Sequence, residues 1–219
     1  MKPKHVVFDD IDDSDELLGV HIADVAYFVE RGTRLDHEAC DRGTTVYLPD
    51  RRLDMFPSEL SEDLCSLRAD SERFAMSVLV RYRPTTRSND GSDTKAPKQR
   101  ERRLATGGAI VWPAPPGYTA EVWFGRSLIR SRRAFAYEEA QALADNTKAK
   151  SDAARDLRAL LALSRRLRQV RIDAGALELE SAEPRFTLDP QTGAPLALED
   201  DKPLEMKQVV AELMITANW

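Results

Sequence analysis

The order in which strand-like and helix-like runs follow one another constrains this chain more than any other feature. Gly19–Val29 opens with Val20 and Ile22 alternating against His21 and Ala23, the period of a half-buried strand. Thr44–Leu48 is a second β-rich run, stopped by Pro49 and Asp50. Ala75–Tyr82 is a third, with Met76, Val78 and Val80 on one face, and Ala120–Ile129 is a fourth. Helical patterns dominate only after that, at 137–145, 151–173 and 209–218. In the long run Leu157, Leu160, Leu161, Leu167 and Val170 recur at helical spacing, with Ser151 placed to cap the helix and Gly175 to end it. Strands grouped ahead of helices disfavour the alternation of a doubly wound parallel sheet. The expectation is an α+β domain, a twisted and mostly antiparallel sheet with helices packed against it.

Composition narrows the class further. Hydrophobic residues make up 42% of the 219 and charged residues 32%, a balance typical of soluble globular domains. No run approaches the roughly 18 apolar residues of a membrane span, so no membrane partner is expected. Cys40 and Cys65 are too few for a disulfide framework, and neither cysteine nor histidine clusters as a zinc site requires. These features predict an intracellular domain, cytoplasmic or nuclear.

Charge is distributed unevenly. Residues 1–80 carry 9 Lys/Arg against 18 Asp/Glu, residues 81–175 carry 20 against 10, and residues 176–219 carry 3 against 9. Such a division suits an acidic cluster that holds a metal beside a basic stretch that meets an anionic polymer, although solvated surface charge has the same signature. Within the basic part, residues 84–117 contain few core-forming side chains and predict a long mobile insertion between two strands. Arg158, Arg165, Arg168 and Arg171 lie opposite the apolar stripe of the long helix and read as a wet helix face.

The densest acidic run is Asp9-Asp10-Ile11-Asp12-Asp13. Hard oxygen ligands suit Mg²⁺, or Mn²⁺, which activates water and neutralises phosphodiester charge. In an extended chain Asp10 and Asp12 share a face and Asp13 points to the other. Convergence of all three therefore requires a bend at Ile11 or just after Asp13.

Several motifs follow in close order: Gly19–Val25 (GVHIADV), Arg42–Pro49 (RGTTVYLP), Asp54-Met55 with Pro57, and Leu60–Leu67 (LSEDLCSL). Further on come Trp123–Ser131 (WFGRSLIRS), Tyr137–Gln141 (YEEAQ), Gly175–Leu177, Arg185-Phe186 and Glu212–Asn218 (ELMITAN). Together they resemble the catalytic RNB domain of the ribonuclease II family, especially its eukaryotic exosome-associated branch. The resemblance covers most of residues 10–218 outside the basic insertion, so residues 1–219 are expected to be a partial RNB domain.

That resemblance implies a processive 3′→5′ exoribonuclease that hydrolyses single-stranded RNA to nucleoside 5′-monophosphates with Mg²⁺, and an exosome-type complex as its partner. It matches Asp10, Asp12 and Asp13 to the last three of four metal-site aspartates, with Asp12 tied most directly to metal and water. It matches Tyr47 to an aromatic that stacks on terminal nucleotides; a core-facing strand tyrosine is the plainer reading. Three departures stand out. Lys4 occupies the position of the first aspartate, only Ser14–Leu18 separate the acidic run from the GVHIADV motif where the family has a strand and turn, and Ala211 leaves Glu212 alone of two acidic positions. They support the alternative expectation of a catalytically inactive RNA-binding or complex-assembly module built on the same scaffold.

Overall fold

A computed structural model describes residues 11–48, 51–85, 102–103, 109–110, 112–177, 184–189, 195–200 and 204–218. Its centre is an antiparallel sheet of β1 (Glu16–Ala23), β4 (Glu72–Pro84) and β7 (Tyr118–Arg130), in that spatial order. Between β1 and β4 lie α1 (Val25–Phe28), α2 (Arg34–Arg42), a hairpin of β2 (Val46–Tyr47) and β3 (Arg52–Leu53), and a π-helical turn at Glu59–Leu64. A small hairpin, β5 (Arg102–Arg103) with β6 (Ala109–Ile110), precedes β7. After it come α3 (Tyr137–Asp145), α4 (Asp152–Asp173), the hairpin of β8 (Pro184–Leu188) and β9 (Pro195–Asp200), and α5 (Glu205–Ala217). The architecture is α+β with an antiparallel sheet.

Register follows from burial on one face. Leu18 pairs with Val80 and Val80 with Val122, while Glu16 pairs with Tyr82 and Tyr82 with Ala120. Leu18, Val80, Tyr82 and Ala120 are buried against Leu163 and Leu167 of α4. A one-residue slip would turn this set away from the helix, so the alternation itself selects the pairing. On the opposite face Ser77 is equally inaccessible, held by His21 Nδ1 at 2.6 Å and the Ser127 hydroxyl at 2.5 Å.

The long helix starts and stops where its sequence signals lie. Ser151 Oγ accepts the Ala154 N–H, and Gly175 sits at φ +93°, a left-handed geometry that favours glycine. Ala140 and Ala144 of α3 pack with Leu161 of α4 and with Met206 and Val209 of α5 in a second core cluster. Arg165 pairs with Glu205, Arg168 with Gln208 and Arg171 with Glu212, an ascending series that runs α4 and α5 parallel.

Three elements differ from the sequence reading. The first strand stops at Ala23, because Asp24 and the α1 turn follow it and Tyr27 stacks on Phe74 with ring centroids 3.9 Å apart. The last helix begins at Glu205, one turn earlier than its apolar pattern shows. Within the range read as insertion, β4 extends through Pro84, and Trp112 and Ala114 pack on the main core with Pro115 fully buried. Residues 86–101, 104–108 and 111 of that range lie outside the described residues.

Candidate active site

Immediately before β1 the chain makes a tight turn. The Asp15 N–H donates to the Asp12 carbonyl at 2.9 Å, and the Ser14 N–H donates to Asp12 Oδ1 at 3.3 Å. The chain thus bends just after Asp13, one of the two places where a bend was expected. Short acidic side chains favour it because they accept hydrogen bonds from nearby backbone. Asp12 and Asp13 are both exposed, so the turn presents carboxylate oxygens to solvent. Asp10 and Lys4 lie outside the described residues.

Asp15 behaves differently from its neighbours. Its side chain has 0% exposure, and Arg83 grips both oxygens, Nε to Oδ1 and Nη2 to Oδ2, each at 3.0 Å. Arg81 Nη1 stands 4.0 Å from Oδ2, and Arg81 Nη2 donates to Glu121. Arg83, through its hydrogen bonds, holds the Asp15 carboxyl below the usual range against the opposing effect of burial. The same contact raises Arg83, with a smaller contribution from Asp12. Sequence reasoning passed over Asp15, Arg81 and Arg83. The available signals were the three-residue spacing from Asp12 to Asp15 and two arginines on one face of a strand.

Tyr47 sits on the β2–β3 hairpin and is 77% exposed, which removes the core-facing reading. Val46, Leu48 and Leu53 around it are exposed as well. The hairpin is anchored by Arg42 Nη1 to the Asp54 carbonyl at 3.0 Å and by the Met55 N–H to Thr45 Oγ1 at 3.1 Å. Asp12 and Asp13 thus share one turn, while Tyr47 is carried by a separate element.

Glu212 is buried in α5, its carboxylate held by Arg171 at 2.9–3.3 Å. The pair forms the polar wall of a cavity of about 400 Å³, lined otherwise by Trp112, Leu167, Val170 and Ile215 among others. Most arginines of α4 have partners within the fold, although Arg165 stays 65% exposed. Arg165 and Arg171 pair with α5, Arg166 bonds Glu16 at 2.5 Å beneath the Tyr118 ring, and Arg158 caps carbonyls at Asn146 and Ala149. Much of the positive excess of residues 81–175 is therefore neutralised within the fold.

Among the described residues no group of three His, Cys, Asp or Glu side chains converges as a metal cage. The donors at the turn nonetheless suit Mg²⁺, which keeps several waters and uses one or two carboxylates together with substrate phosphates. Asp12 and Asp13, exposed and acceptor-only, fit that ion. No helix among the described residues is long and apolar enough to cross a membrane.

The family model for the RNB domain matches residues 5–219. The chain belongs to the RNB domain family. This RNB domain is 42% identical over 202 residues to the exosome complex exonuclease RRP44 homolog A of Arabidopsis thaliana, covering 92% of this chain and 18% of that protein. It is 39% identical to the exosome complex exonuclease dis3 of Schizosaccharomyces pombe, with the same coverage. The chain thus spans about a fifth of the length of these relatives. Among solved structures, Mycoplasma genitalium RNase R in complex with ribose-methylated single-stranded RNA superposes with a TM-score of 0.68 at 22% identity, over 92% of this chain and 27% of that one. That likeness supports the fold.

Proposed function

We propose that this RNB domain carries the catalytic aspartates of a 3′→5′ exoribonuclease that hydrolyses single-stranded RNA to nucleoside 5′-monophosphates. The observation that carries the reading is the turn ahead of β1, which presents Asp12 and Asp13 to solvent at the start of the family's GVHIADV strand. Asp10, Asp12 and Asp13 would hold Mg²⁺, or Mn²⁺ in its place. Bound there, the ion supplies charge neutralisation at the phosphodiester and a more acidic water. Asp12 orients the attacking water through its carboxylate, and Asp13 and Asp10 keep the site anionic. Tyr47, exposed on its hairpin, offers a face on which any terminal base stacks.

Phosphate affinity is assigned to the insertion rather than to α4, whose arginines are engaged within the fold. Residues 84–117 hold six Lys/Arg against three Asp/Glu. In this reading the domain acts in the cytoplasm or nucleus, in an exosome-type complex. Lys4 favours one rival, an inactive RNA-binding or assembly module, because a cation at that position opposes metal binding. Incubation with 5′-labelled single-stranded RNA and Mg²⁺, beside an EDTA control, separates the two. Shortening from the 3′ end that EDTA abolishes supports hydrolysis; retarded, intact RNA supports the rival.

A further inference from the structure

The register of the sheet places Asp15 one step beyond the Glu16–Tyr82 pair, directly opposite Arg83. Because the ladder is set by Leu18 and Val80 in the core, this cross-strand pair is fixed by the same packing that defines the fold. Its carboxylate does more than close an ion pair. Asp15 Oδ2 accepts the Asp12 N–H at 3.1 Å, while the Asp15 N–H returns to the Asp12 carbonyl at 2.9 Å. Both backbone groups of Asp12 are thus tied to a residue whose side chain is wholly buried and gripped at both oxygens.

We infer that Asp15, held by Arg83, is a positioning residue that fixes the Asp12–Asp13 turn for metal binding, an inference that rests on the metal-site reading above. Charge supports the same role. Arg81 and Arg83 place two guanidinium groups beside the acidic turn, and Asp15 with Glu121 absorbs their charge. Asp15 Oδ2 accepts from both Arg83 Nη2 and the Asp12 N–H, which places Arg83 beside the turn. Without the Asp15 carboxylate, Arg83 would draw on Asp12 and compete with the cation. Groups that orient a ligand residue in this way typically govern metal affinity by about 10- to 100-fold.

The test uses Mn²⁺, a hard cation that replaces Mg²⁺ at oxygen sites, and counts free ion by electron paramagnetic resonance as the full chain is titrated. Asp15→Asn should weaken Mn²⁺ binding by about tenfold or more. Arg83→Lys keeps a cation but loses the fork and should weaken it less. The exchange Asp15→Arg with Arg83→Asp restores an ion pair but removes the acceptor for the Asp12 N–H. It should recover the melting temperature of the single variants while leaving Mn²⁺ affinity low. Wild-type affinity in folded Asp15→Asn or Arg83→Lys, or recovery of affinity by the exchange, overturns the positioning role and leaves the metal-site reading intact. Wild-type binding that Asp12→Asn leaves unchanged, or no binding by the wild type, overturns both.

Discussion

Replacing Glu212 by alanine tests how α4 and α5 are joined. The carboxylate is 5% exposed and makes three contacts with Arg171, whose side chain is 23% exposed. Removing one partner of a buried pair costs about 3–5 kcal/mol, and the partial hydration open to Arg171 places this case near 3. For a chain of this size each kcal/mol moves the melting temperature by roughly 2–4 °C, so a fall of about 6–12 °C is expected. Arg165→Ala breaks a pair that is 65% and 33% exposed and should cost less than about 1 kcal/mol. Substituting both members of the buried pair, Arg171→Met with Glu212→Leu, removes the desolvated charges together and should recover most of the loss. Circular dichroism at 222 nm during heating reads all three. A shift below about 3 °C for Glu212→Ala, or no difference from Arg165→Ala, would refute the view that the parallel helix seam depends on this pair.

Leu18→Ala empties a site beneath α4 where the side chain is buried, and a loss of about 3 kcal/mol in urea unfolding is expected. Burial raises the Tyr82 phenol, so its contribution is full below the ordinary tyrosine value near pH 10 and is lost as pH rises above it. Its hydroxyl has no partner among the described residues, so Tyr82→Phe should blunt alkaline unfolding while leaving stability at neutral pH little changed. Arg165, by its hydrogen bonds, lowers the Glu205 carboxyl. That contribution is present above the ordinary value of about 4.3 and is lost as pH falls through the depressed one, so Glu205→Gln should show a shallower acid-side decline in melting temperature.

The main sheet and the long helix were legible because local signals and burial agree there. Val78 and Val80 alternate into the core, and α4 is bracketed by the Ser151 hydroxyl that caps its start and by Gly175, whose lack of a side chain permits a left-handed φ. The arginines of α4 were not legible as structural. Their partners Glu16, Glu205 and Glu212 are distant in sequence, and an unpaired wet face has the same periodicity. The bend after Asp13 followed from the need for carboxylates on alternate faces to converge. Its anchor did not, since the pairing of Asp15 with Arg83 exists only once strand register brings residues 68 positions apart together. Trp112 and Ala114 were hidden by a proline-rich context that resembles a linker, yet they pack on the core formed by β7 and α4.

In the proposed function the turn ahead of β1 performs phosphodiester hydrolysis through Asp12. The most direct measurement is release of nucleoside 5′-monophosphates from single-stranded RNA with Mg²⁺, comparing the wild type with Asp12→Asn at matched folding by thermal melt. Stepwise release from the 3′ end by the wild type, abolished in Asp12→Asn and retained in Asp41→Asn, an exposed position of α2, is the predicted result. Release unchanged by Asp12→Asn, or no release from wild-type protein that binds the RNA, would contradict it.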